Sequence, residues 1–119
     1  MALKLTPYML KQAYDLLSAT EPFNRWNLPD SDDVVFRVLK ARGTSAQLWT
    51  GAGKPCIDVS TEHNGHLNTV LSSLAHEMVH LHEARCKIRS RGTNHHGAAF
   101  RKWAAQVCKA HGYDLKLFY

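Results

Sequence analysis

VVFRVLKARGTSAQLWTGAGKPCIDVS, residues 34–60, decides the fold. It falls into three short β-rich pieces. VVFRVLKA (34–41) comes first, SAQLWT (45–50) follows the break at Gly43, and PCIDVS (55–60) follows the Gly51-Ala52-Gly53 turn. Val, Ile, Phe, Trp and Thr suit a pleated, half-buried surface, and turn residues flank each piece. Strands with such short links pair antiparallel, so the expectation is a small three-stranded antiparallel sheet.

Helical signals lie outside this block on both sides. Upstream, Thr6-Pro7 reads as an N-cap followed by proline at the first helical position. Leu10, Ala13, Tyr14 and Leu17 then fall on one face of a helix ending near Ser18–Thr20. EPFNRWNLPDSDD (21–33), with two prolines, reads as a loop with Phe23, Trp26 and Leu28 turned inward. Downstream, TEHNGH (61–66) is a loop, and a helix runs from Asn68, a candidate N-cap, to about Cys86. After the irregular KIRSRGTNH (87–95), Asn94 is a candidate cap for a last helix in which Phe100, Trp103, Ala104 and Val107 share a face. Gly112 supplies its stop. Strands grouped together, with helices on either side of the group, indicate an α+β layer rather than a parallel βαβ sheet.

Composition narrows the class. At 119 residues, 45% hydrophobic and 21% charged, the chain suits one soluble globular domain spanning 1–119. No apolar run approaches the roughly 18 residues that span a bilayer, so no membrane association is expected. MALKLTPYMLKQ lacks the sustained apolar stretch of a secretory leader. Three widely spaced cysteines (Cys56, Cys86, Cys108) without a CxxC pair suggest free thiols and a cytoplasmic location, with Cys56 and Cys108 at buried apolar positions. The net charge of +5 is uneven. Residues 1–83 hold seven Lys/Arg against nine Asp/Glu, whereas 84–113 hold seven Lys/Arg and no acid. Such a block attracts an anionic partner, DNA being the natural one, or serves as a solvated basic surface.

LAHEMVHLHE (74–83) carries the chemistry. His76, Glu77 and His80 form HExxH. Residues four apart lie one above the other on a helix, so two imidazoles aim at one point. Glu77, beside the first of them, is too constrained to bind the same ion but well placed to touch its water. Val70, Leu74, Met78 and Leu81 fall roughly opposite, as a core face. A catalytic zinc needs a third protein ligand and an open position. His96 in NHHGAAFRKW is the first choice, because it enters a new helix and Gly97 behind it permits close approach. His95 and Glu83 are the alternatives, Glu83 being the more natural as a supporting or surface residue. His82 points elsewhere, His63 and His66 lie in a loop, and His111 is a helix-end residue. Trp49 and Trp103 are expected in the core.

HEMVH, a basic connector, HGxxFxxW and the closing CKAHGYD resemble the SprT-like family of zinc metalloproteases, which includes Spartan. The resemblance spans about residues 5–117 and is most specific at His76, Glu77, His80, His96-Gly97 and Phe100. It implies a zincin-like minimal metalloprotease domain, one Zn2+ held by His76, His80 and His96, and Glu77 as the catalytic glutamate. The implied substrates are proteins bound or crosslinked to DNA, and the length suits a minimal version from a bacterial or phage-infected cell. Unlike larger members, this sequence is expected to act without a cysteine-rich ribbon or a separate DNA-binding tail. Arg85, Lys87, Arg89 and Arg91, between the second and third ligands, are the candidate DNA contacts. The oxyanion donor stays open among Tyr113, His111 and His95, and the substrate-pairing edge strand between SAQLWT and PCIDVS. The alternative is a small basic DNA-binding module whose zinc is structural and closed by a fourth ligand, His95 or Glu83.

Overall fold

The computed structural model describes residues 3–40, 42–51, 53–87 and 96–118. The elements are α1 (Pro7–Ser18), β1 (Val35–Leu39), β2 (Ala46–Trp49), β3 (Cys56–Ser60), α2 (Leu67–Arg85), α3 (Ala98–His111) and a short α4 (Leu115–Phe118). Two 3-10 turns, Phe23–Arg25 and Ser31–Asp33, shape the loop before β1. Among the described residues no helix is long and apolar enough to cross a membrane.

Local chemistry explains the helices. The Thr6 side chain accepts a hydrogen bond from the Met9 N–H at 3.2 Å, and Pro7 opens α1. Leu10, Tyr14 and Leu17 are buried, and the Tyr14 hydroxyl donates to the Pro29 carbonyl at 2.6 Å, pinning the loop from which Phe23 is buried in the core. α2 begins one residue ahead of the expected cap, after His66, so Asn68 lies inside the helix. Its buried side is wider than the expected stripe. Beside Val70, Leu74, Met78 and Leu81 it also covers Ala75, Glu77, Val79, His82 and Glu83, because the sheet, α1 and α3 all pack on it. Gly97 is the cap of α3, and the expected cap at Asn94 lies outside the described residues. At its far end Gly112 adopts φ 78°, and its N–H donates to the Cys108 carbonyl at 2.8 Å.

The sheet departs from the expected antiparallel arrangement. Its order is β1-β3-β2, with β3 antiparallel to β2 but parallel to β1. The three pieces form strands as anticipated, yet the last of them occupies the centre. β1 and β2 alternate between covered and exposed residues, whereas β3 is covered on both faces. Ile57 and Val59 are fully buried in the core. On the other face Asp58 receives Arg37 Nε and Nη2 and Trp49 Nε1, each at 2.7 Å, and Cys56 Sγ at 3.3 Å. Burial works to raise the Asp58 carboxyl, but these donors outweigh it and hold it below its ordinary range. One carboxylate thus ties three strands together, and β3 can supply it only from the middle. The 16 residues between β1 and β3 give the crossover that a parallel pair needs.

This network also corrects two placements. Trp49 is not a core residue; it lies on the outer face, 55% exposed, with its N–H on Asp58. Cys56 is half-buried beside the same carboxylate, while Cys108 is buried as expected. Trp103 packs against the core, as do Trp26 and Leu28.

Candidate metal centre

Two turns of α2 and the approach to α3 build the site. His76 and His80 sit one turn apart, and their ring centroids are 5.0 Å from each other. His96, directly before Gly97, brings its ring to 4.9 Å from His76 and 5.3 Å from His80. Across the three, one ligand nitrogen from each lies within 4.8 Å of the others. Three bonds of zinc length would hold such nitrogens about 3.4 Å apart, so a small ring rotation suffices. The three histidines could hold a metal ion. Phe100, fully buried on the first turn of α3, backs all three rings at centroid distances of 4.4–4.9 Å.

The second nitrogens of the α2 pair are engaged. His76 Nδ1 donates to the Phe118 carbonyl at 2.6 Å, and His80 Nδ1 donates to Glu83 Oε1 at 3.0 Å. At His76 the carbonyl can only accept, which places the proton on Nδ1 and leaves Nε2 as the lone-pair donor, and an ionised Glu83 does the same for His80. Burial pushes the His76 imidazolium down to about 4, against the pull of the Phe118 carbonyl and with help from the neighbouring His96. A neutral imidazole at pH 7 is the ligating form.

Glu77 Oε2 stands 4.0 Å from His76 Nε2, on the cleft side of the cluster. It is only 6% exposed, and burial raises its carboxyl to about 7. Glu83 is buried and raised to about 7 for the same reason, but it stands behind His80 as a hydrogen-bond acceptor and is not part of the three-residue group.

The cluster forms the floor of a cleft of about 1260 Å3. Residues 44–50, which include all of β2, line one wall, and Leu117 and Phe118 contribute to the lining. Because β3 is central, β2 is the edge strand on this side. Asn64 fixes its position: the buried side-chain amide donates to the carbonyls of Ser45 and Ser60 at 3.0 and 2.7 Å and accepts from Ser73 Oγ at 2.8 Å. An asparagine inside TEHNGH looks like ordinary turn chemistry, so periodicity carries no sign of this tie between edge strand and helix.

The remaining candidates separate. Of the basic connector, Lys87 lines the cleft, whereas Arg85 turns away to the Asn27 carbonyl at 3.0 Å. Arg89, Arg91 and His95 lie outside the described residues. His82 is buried, stacked on Trp26 at 4.3 Å and edge-on to Trp103. His63 donates to the Arg42 carbonyl at 2.6 Å. His111 ends α3 and bonds Thr20, and Tyr113 stacks beside it; neither lines the cleft.

The buried Glu77 has a measurable consequence in the metal-free chain. Its folded pKa of about 7 exceeds the 4.5 of an ordinary glutamate. The folded state therefore binds more protons between these values, and stability falls as pH rises through that window. Glu77→Gln removes the penalty. With a chelator present, the variant is expected to melt close to the native chain at pH 5 and several degrees above it at pH 8, a gain on the order of 2–3 kcal/mol. His76 titrates in the same range with opposite sign, but it does so in both proteins and cancels from the difference. Equal melting temperatures at pH 8 would contradict the buried, desolvated carboxyl.

No protein-family model matches the chain, and no curated protein matches it.

Proposed function

We propose that this chain is a zinc-dependent metallopeptidase of the SprT-like kind, with a zincin-like domain. The observation that carries the reading is the convergence of His76, His80 and His96 at the floor of a cleft, with the Glu77 carboxylate beside them and an edge strand along the wall. An all-imidazole donor set suits zinc. Among the described residues no fourth histidine, cysteine or carboxylate joins the group.

When bound, zinc would supply Lewis-acid polarisation of the scissile carbonyl and a lowered pKa for the attacking water. The chain's own residues do the rest. Glu77 accepts the proton of the attacking water and delivers it to the departing amine. Glu83 and the Phe118 carbonyl hold two imidazoles in orientation. The free edge of β2 aligns an extended peptide by strand addition, placing a carbonyl over the three histidines. Lys87 at the cleft, together with the basic block 84–113, supports proteins bound to DNA as the substrate class, with nonspecific phosphate contacts.

The test measures zinc content and cleavage of an unstructured protein by the same preparation. One zinc per chain is expected, with hydrolysis lost on chelation and restored by zinc. DNA at low salt should stimulate cleavage of a DNA-bound protein, and the effect should vanish at high salt. Stoichiometric zinc without hydrolysis of free or DNA-bound protein would instead support a basic DNA-binding module with a structural ion. Activity indifferent to DNA at both salt levels would remove the nucleic-acid half alone.

A further inference from the structure

We infer that α4 is a positioning element of the metal centre, its Phe118 carbonyl locking His76 in the tautomer that presents Nε2 to the ion. The inference rests on the reading of His76, His80 and His96 as ligands. The two ligands on α2 are oriented in different ways. His80 is held by Glu83, three residues away on the same helix. His76 is held by a carbonyl 42 residues along the chain, at 2.6 Å. A carbonyl only accepts, so this contact keeps the proton on Nδ1 and opposes a ring flip that would exchange the two nitrogens.

The contact is built rather than incidental. The left-handed turn at Gly112 reverses the chain after α3. Asp114 then starts α4, its side chain accepting from the Lys116 N–H at 2.8 Å and its carbonyl from the Phe118 N–H at 2.9 Å. The Phe118 ring anchors the end of α4. It is 3% exposed, stacks on Tyr113 at 5.6 Å and lies 5.5 Å from the His76 ring. Leu117, the residue before it, is 83% exposed and borders the cleft. A four-residue helix that sends its apolar neighbour into the cleft and its carbonyl onto a ligand is placed to set the site's geometry.

Two variants test this. The first ends the chain after Asp114. The second, assembled by ligation at Cys108, replaces the amide between residues 118 and 119 with an ester, whose carbonyl is a poorer acceptor, and leaves every side chain unchanged. Zinc affinity is read by competition with a chromogenic chelator, and the His76 tautomer by 15N NMR of the metal-free chain. The truncation is expected to weaken zinc roughly 10–100-fold, and the ester to weaken it several-fold in the same direction. The native chain should show a protonated Nδ1 at His76, and the truncated chain a mixture of tautomers. Native zinc affinity in the ester variant, or a proton on Nε2 of His76 in the native chain, overturns the role of α4. If truncation unfolds the protein, the ester and the native tautomer still decide. A native chain that takes up no zinc overturns the metal reading and this inference together, whereas zinc uptake insensitive to the ester overturns this inference alone.

Discussion

Glu77→Gln is expected to keep one zinc per chain and to lower kcat/KM for peptide hydrolysis roughly 10²–10⁴-fold. Glutamine has nearly the shape of glutamate and can still hydrogen bond, but it cannot take a proton from water. Glu77 is not one of the three converging groups, so metal content should not follow activity. Zinc analysis and steady-state kinetics on one preparation separate the outcomes. Intact turnover would show that Glu77 is not the base, and lost zinc would show that its carboxylate is a ligand. The raised pKa of the metal-free carboxyl marks it as a strong proton acceptor for its type, the property that the step requires.

His96→Ala should show the opposite pattern, losing metal with little loss of fold. Four-ligand structural zinc sites bind with about 10–16 kcal/mol, so one ligand is worth on the order of 3–4 kcal/mol, or roughly 10²–10³ in affinity. His96 is half-buried ahead of the first turn of α3, and its removal leaves the packing of α3 on α2 in place. With a chelator present, the variant should melt within about a degree of the native chain, since a half-exposed side chain outside the core contributes little. Phe100→Ala is the contrast. Phe100 is fully buried against all three imidazoles, and its truncation should cost about 3–5 kcal/mol of stability and weaken zinc as well. Native zinc affinity in His96→Ala would mean that the third ligand comes from elsewhere, with His95 the first residue to test.

The elements that could be read in advance are those whose information is local. The start of α1 follows from Thr6 and Pro7, and the stop of α3 from Gly112, because capping is decided within a turn of chain. HExxH is legible for the same reason: helical spacing alone puts His76 and His80 on one face. Hydrophobicity alone places Trp49 in the core, because it reports the cost of exposure and not the partner. The buried carboxylate of Asp58, nine residues later, holds its N–H on the outer face of the sheet. The buried surface on α2 is wider than its apolar stripe, which does not reveal that Glu77 and Glu83 are covered by neighbouring elements.

Local patterning is enough to specify the α+β class, the three strand segments, and a helix bearing two imidazoles and a carboxylate at coordinating spacing. That β3 is central and β2 is the edge along the cleft emerges from the packed fold. The choice among candidate partners was tertiary too, bringing His96 to the α2 pair, setting Glu83 behind His80, and sending Arg85 away from the cleft and Lys87 towards it. It also brought the Phe118 carbonyl onto His76 from a segment with no periodic signal of its own. The physical reason is range. Caps, turns and i,i+4 pairs are settled by neighbours a few residues apart, whereas strand order and the convergence of distant side chains depend on which surfaces bury best against one another.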